Sequence, residues 1–538
     1  MLESVTKPAS DSSTAGISPA PGNRGSYFPA IHAGVAEIVT LCLYAGLLIW
    51  AIPYHEPWAD EAQAWQIART LPLNRVFPLL SYEGHPGLWY LLLWLLSRLH
   101  VSYAGMHWIA AAIAFCGVSL LVLASPFPRW LKLLLPFTFY LSFQYAIVAR
   151  SYVMAPVLIF LCACFWRQRL ERPLTIAVCL GLLANVAPHT AAVSGGLALV
   201  YAIDLWLGRR AQKTRASDGR IVTASLVLLA LYGLCIWAGH PAKDASGAAF
   251  AFRNGNAPHS WIDLQQSQLP PSYPRPEPAN KRSIQWLNWK LESRLSGGLT
   301  EGLVRPFWLG CVFWILLAWK LLRTGKLHYL IPALFLVILC HTYAFFWHSG
   351  LMLPCVIGLL WMTWPESEMS FSQRPLYEQL PLLMLLLCAA VQIGWAEFAF
   401  RFDHDRVYGS SADTAAFLKP YVLKNAKILE IGNDFLSVGV QPYYDHNIFL
   451  NQPEAYYWWS TRNSSKLRYE QLLPGRPDVV VLEWRFHEFP SDKTIAALPL
   501  ATQLAGLGYR NTHNFCGGLA GPGREILEWD CDLIYQSP

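Results

Sequence analysis

Charge is scarce in this sequence. Asp, Glu, Lys and Arg make up 14% of its 538 residues, where soluble domains carry about a quarter. With 54% hydrophobic residues and a mean hydropathy of +0.29, a soluble globular protein is excluded and a polytopic membrane protein is expected. Basic patches interleaved with aromatics are missing, so no nucleic-acid partner is expected. The net charge of +6 fits Lys/Arg-rich cytoplasmic loops. No G-x-G-x-x-G or Walker-type phosphate loop is present, so nothing supports a nucleotide-sugar donor. Most cysteines, among them Cys42, Cys116, Cys162, Cys164, Cys179 and Cys235, lie inside apolar runs, where they behave as small hydrophobes. Only Cys516 and Cys531 sit in the polar C-terminal region; they are expected to pair if that region faces an oxidising compartment.

What the sequence has in quantity is apolar runs. A span needs about 20 residues. Candidate spans are 33–52, 86–101, 105–124, 131–149, 151–166, 173–188, 190–207, 220–239, 303–322, 328–346, 348–364 and 379–399, consistent with about 11–13 transmembrane helices. Residues 1–30, rich in Ser, Pro, Gly and Ala, read as a disordered cytoplasmic tail. No small-x-small cleavage site follows, so the first run reads as a retained helix. Gly208–Arg220, Arg167–Pro173 and Lys320–Lys326 are the Lys/Arg-rich loops. The positive-inside rule makes them cytoplasmic. Loops 53–85 and 240–302 and everything after Arg401 then face outward. One stretch does not close: the charges require 86–128 to cross an odd number of times, yet it holds two apolar runs. Either one run is re-entrant or one loop breaks the charge rule. Residues 31–401 are thus read as the membrane domain. Residues 402–538 form a soluble α/β domain, with strands expected at "AKILEIGN" and "PDVVVLEW" and helices at "SADTAAFLKPYV" and "SDKTIAALPLATQLAGLG".

Two ionisable clusters sit in the first outer loop. "YHEPWADEAQAWQIART" carries Glu56, Asp60 and Glu61, and "YEGHPGLWYLLLW" carries Glu83 and His85 ahead of Pro86. Acidic groups beside hydrocarbon are costly. Two readings stand for the first cluster: an amphipathic helix with acids favouring its N-terminus, or a catalytic carboxylate. The second is an interfacial turn or part of the same site. The Pro-rich 240–302 loop reads as a lid or as disorder. The aromatic stretch Tyr456–Trp459 reads as a sugar platform, a membrane contact or core.

The order of these motifs resembles the GT-C superfamily of membrane glycosyltransferases, nearest to protein O-mannosyltransferases and lipid A aminoarabinose transferases. Asp60–Arg69 matches D-E-A-R-Y-A-E-I-A-R, and Glu83–Tyr90 is similar to E-K-P-P-L-Y-Y-W. "VARSYVMAP" and "APHTAA" are similar to the A-R-x-Y and T-H-Y-A segments. The matches cover mainly residues 50–192. The resemblance implies sugar transfer from a polyprenyl-phosphate donor to a glycan, lipid or protein acceptor. The reaction takes place at the outer face of a bacterial inner membrane, in line and with inversion. Carried over residue by residue, it implies Asp60 as general base and Glu61 as a catalytic neighbour that positions the acceptor, a metal or the helix. It places Arg69, Arg150, Tyr152, Glu83, His85 and His189 around the substrates. Two positions depart from the pattern: Gln63 stands where relatives have Arg, and His85 where they have Lys. Glu83, His85 and His189, or alternatively His348, are further expected as ligands if a divalent metal takes part.

Overall fold

A computed structural model describes residues 33–212, 216–245, 297–305, 307–342, 345–365, 369–432, 436–460, 469–486 and 488–537. The protein is mostly helical, with a small C-terminal sheet. Among the described residues, five helical segments are long and apolar enough to cross a membrane: Tyr103–Ala124, Ser151–Gln168, Pro188–Arg210, Asp218–Gly239 and Leu376–Asp405. Five shorter apolar helices accompany them: Val35–Ala51, Leu88–Arg98, Pro173–Ala184, Leu327–His341 and Phe346–Met362.

In chain order the first helices are α1 (Val35–Ala51), α2 (Ala59–Thr70), α3 (Leu73–Glu83), α4 (Leu88–Arg98) and α5 (Tyr103–Ala124). α1 and α5 run antiparallel. Glu37 at the start of α1 pairs with Arg129 and Lys132 beyond the end of α5. At the other end, His55 after α1 and His107 in the first turns of α5 both reach Glu61. The chain between α1 and α5 therefore leaves and returns at one end of this pair. Within it, α4 is too short to cross a membrane by itself. Its 11 residues span about 16 Å at 1.5 Å each, half of a ~30 Å hydrocarbon layer. It lies beside α2: Gln63 meets Glu83 near its start, while Ser97 and Arg98 bond the carbonyls of Ala68, Arg69 and Leu71 near its end. The unclosed stretch 86–128 thus contains one long helix, α5, and a short one beside α2.

The run 131–149 is not a spanning helix either. It begins as α6 (Arg129–Leu134), tightens into a 3₁₀ turn at Leu135–Phe137 and a π turn at Tyr140–Gln144, then loses helical form. Pro136 lacks an N–H and disfavours a continuous α-helix. Residues from Phe139 to Ala149 are all buried, and non-helical backbone at membrane depth is tolerated where protein surrounds it. Hydropathy cannot separate such a segment from a span. Four helices follow, α7 (Met154–Phe165), α8 (Pro173–Ala184), α9 (Pro188–Arg210) and α10 (Asp218–Gly239).

The C-terminal sheet has order β1-β2-β4-β3, with β1 (Ile428–Ile431) parallel to β2 (Val479–Phe486). Antiparallel to β2 runs β4 (Glu525–Gln536), with β3 (Arg510–Gly521) at its outer edge. β1 and β2 fall where the sequence places strands. The expected helices form at Ser411–Leu423 and, divided ahead of Pro499, at Asp492–Ala496 and Pro499–Gly506. Side chains alternate across a strand. Val479 and Val481 join the core of the helical body, while Val480 and Leu482 pack beneath Ile495 and Leu504. The β3–β4 hairpin is closed by a disulfide between Cys516 and Cys531, which sit opposite each other in register.

Candidate functional site

The carboxylates of the first cluster have separate fates. Glu56 accepts a hydrogen bond from the backbone N–H of Ala412, at the start of the helix Ser411–Leu423. Burial raises its pKa to about 8.

Asp60 stands in the first turn of α2, its side chain 42% exposed, with Oδ2 2.7 Å from the Arg150 guanidinium. Arg150 lies over Trp347, Trp58 and Tyr152, at 4.9, 5.6 and 5.6 Å from their rings. A guanidinium held between aromatic faces keeps its charge and its orientation together. Its own side chain is only 11% exposed, so the pair joins a buried cation to a partly exposed carboxylate.

Glu61, the next residue, points into the protein. At the third position of α2 its Oε2 accepts from the N–H of Trp58 at 2.8 Å, half of a capping box. Its Oε1 accepts from the N–H of Ala149 at 2.6 Å and lies 3.0 Å from His107 Nε2. The Ala149 bond fixes the residue before Arg150, so Glu61 sets where Arg150 meets Asp60. Its side chain is fully buried and cannot touch an acceptor. Positioning its helix, one of the three roles expected for Glu61, is served by the bond to Trp58. His55 joins from α1, with Nδ1 3.0 Å from Asp403 and Nε2 3.5 Å from Glu61. Burial opposes a charge on His55, but Asp403 and Glu61 outweigh it and raise its pKa to about 10.

The second cluster lies close to the first, with Glu83 feeling the charge of Asp60 and His85 that of Arg150. Gly84 ends α3 in the left-handed region at φ 69°, which only glycine adopts at little cost, and so turns His85 and Pro86 toward α4. Glu83 accepts from Gln63 Nε2 at 2.9 Å and from the Tyr90 hydroxyl at 3.2 Å. Burial raises its pKa to about 7, against the pull of those two donors. Burial and then the charge of Arg150 press His85 down to about 3, with His189 adding to the effect. His85 is therefore neutral near pH 7 and does not replace the lysine of the resembled pattern.

Tyr152 is buried, edge-on to His85 and His348 with ring centroids 6.5 and 5.5 Å apart. His189, in the first turn of α9, stacks on His348 at 4.1 Å with the planes 8° apart. Gly350, after the short Phe346–Ser349 helix, lets Tyr140 and Tyr145 close on that backbone, because a Cβ there would lie 2.1 Å from the Tyr140 ring. Asp60, Arg150, Tyr152, Glu83, His85 and His189 thus fall in one cluster.

Arg69 does not join them. It sits at the far end of α2, about 13 Å along the axis from Asp60, and donates to the carbonyls of Pro442 and Tyr444 at 3.3 and 2.8 Å. Gln63 is likewise engaged by the C-terminal region: it donates to the carbonyl of Tyr457 at 2.6 Å and accepts from its N–H at 2.8 Å. The position that breaks the sequence pattern is a backbone clamp. In the aromatic stretch, Tyr456 and Tyr457 are buried and Trp458 packs edge-on against Tyr82. Asp244 bridges Tyr82 and Ser460 at 3.0 and 2.7 Å; the rest of the expected lid, 246–296, lies outside the described residues.

The expected metal ligands Glu83, His85 and His189 do not gather three ligand atoms at metal distance; among the described residues only His55, Glu61 and His107 do. Sequence reasoning missed His55, His107, Asp403, Trp58 and Trp347. A histidine inside the apolar run of α5 was the available signal, since ionisable groups in such runs are rare. No protein-family model matches this chain, and no curated protein matches it.

Proposed function

We propose that this chain is a membrane glycosyltransferase of the GT-C type. It moves a sugar from a polyprenyl-phosphate carrier to a hydroxyl of a glycan, lipid or protein at the outer face of a bacterial inner membrane. The observation that carries the reading is the Asp60–Arg150 pair, 2.7 Å apart with the carboxylate partly exposed. A base and a phosphate-binding cation are the two groups such a transfer needs.

The reaction follows from this placement. The donor phosphate competes with Asp60 for Arg150, and phosphate is a strong partner for a guanidinium. Arg150 turns to the phosphate and Asp60 is released to accept a hydrogen bond from the acceptor hydroxyl. The acceptor oxygen attacks the anomeric carbon from the face opposite the phosphate. The bond from that carbon to the phosphate oxygen breaks and the proton passes to Asp60. Polyprenyl phosphate leaves with the electron pair, held by Arg150. The configuration at the anomeric carbon inverts. Arg150 supplies the grip that Gln63 and a neutral His85 cannot. Tyr152, His189 and Glu83 shape the walls around the sugar. No divalent metal is required by this route.

The test is transfer by purified Asp60→Asn protein, with polyprenyl-phosphate binding measured alongside. Transfer is expected to fall by about 10²–10⁴-fold with binding retained. Undiminished transfer removes Asp60 from the mechanism. Movement of a lipid-linked glycan across vesicles without any new glycosidic bond establishes a transporter instead.

A further inference from the structure

We propose that His55, Glu61 and His107 hold a zinc ion, with a water molecule as its fourth ligand, behind the Asp60–Arg150 pair and separate from the sugar-transfer chemistry. Their ligand atoms all lie within 4.8 Å of one another and all three residues are buried. The two histidines face different oxygens of Glu61, His107 Nε2 at 3.0 Å from Oε1 and His55 Nε2 at 3.5 Å from Oε2. Tetrahedral zinc with Zn–N arms of about 2.0–2.1 Å requires edges of about 3.3 Å. Two histidines and one carboxylate are a common zinc set.

A second observation points the same way. His55 Nε2 is buried, has no hydrogen-bond partner and faces Glu61 across 3.5 Å. The other ring nitrogen, Nδ1, bonds Asp403 at 3.0 Å. A carboxylate behind a histidine, fixing the ring so that its outer nitrogen meets a metal, is the usual second layer of a zinc centre. Glu61 and Asp403 are 0% and 2% exposed. One divalent cation balances both carboxylates in a place where an unbalanced charge is costly.

The three ligands come from the exit of α1, from α2 and from α5, and Asp403 belongs to the helix Leu376–Asp405. Zinc would tie these four elements together. Through the bond from Ala149 to Glu61 it would hold the segment that presents Arg150.

The experiment uses the full chain in detergent, purified without a metal-affinity matrix. Elemental analysis should find about one zinc per chain. Chelation should lower the thermal midpoint, and added Zn²⁺ should restore it. Loading the chelated protein with Co²⁺ should give the visible bands of four-coordinate cobalt. His107→Gln should lose the metal and the bands, while His189→Gln keeps both. Should His107→Gln fail to fold, the cobalt spectrum and chelation of the wild type still decide. Absence of bound metal together with an unchanged midpoint after Zn²⁺ overturns the proposal and leaves a proton-held cluster. Metal lost in His189→Gln but kept in His107→Gln overturns it too, by moving the site to the cluster around His189. Sugar transfer is not a readout here, so either proposal can fail without the other.

Discussion

Asp60 and Glu61 are neighbours in sequence with opposite surroundings. One has a side chain 42% exposed, the other is sealed among two histidines and two backbone N–H groups. A helix turns about 100° per residue, so an acidic pair at the start of α2 necessarily addresses two places. The outer member meets a mobile partner chemistry, the inner one a fixed frame. The comparison teaches that a two-acid motif can combine a reactive group with the anchor that aims it.

Breaking the inner member should have the largest effect on stability. Glu61→Ala strands His55, His107 and the Ala149 N–H, and should cost about 3–5 kcal/mol, read as a large fall in thermal midpoint in detergent. A midpoint like that of the wild type would show the inner cluster to be dispensable. Gln63→Ala removes both bonds to the Tyr457 backbone. A loss of about 1–3 kcal/mol is expected, with faster proteolysis of the 442–460 segment as a second readout.

The third prediction concerns pH. Glu83 keeps its proton up to about 7, whereas the unfolded chain loses it near the ordinary carboxylate value of about 4.3. Its contribution is therefore full below that lower value and is lost as pH rises to 7. Glu83→Gln escapes this loss. Its advantage in stability, read from the thermal midpoint, should be nil at pH 4 and grow to about 1–2 kcal/mol at pH 8, allowing for the partial exposure of the side chain. A pH-independent difference would place the ionisation elsewhere. The smallest effect should come from Asp60→Asn, whose partly exposed pair is worth under about 1 kcal/mol of stability. The contrast with Glu61→Ala is then one of stability against transfer.

Much of this frame is legible in sequence where one signal dominates. The apolar runs Ile428–Ile431 and Val479–Leu482 declare buried strands, and the α5 and α10 runs declare long helices. The β3–β4 hairpin is hidden because Arg510–Asn514 is exposed and lacks a clean apolar alternation. The 131–149 run misleads because hydropathy measures burial without saying whether lipid or protein does the burying. Gln63 looks like a lost cation until its partner, 394 residues away, is in view. His55 and His107 converge only because α1 and α5 pack antiparallel, a fact no local pattern carries.

The seam between α2 and the C-terminal region has one further property. Gln63, Gln66 and Arg69 all reach main-chain atoms there, at Tyr457, Ala455, Pro442 and Tyr444. Such a seam reads the path of the opposing chain and not its lettering. Exposed side chains along it, such as Asp445, His446 and Glu454, can therefore change without unfastening the seam, whereas the buried Phe449, Tyr456 and Tyr457 cannot.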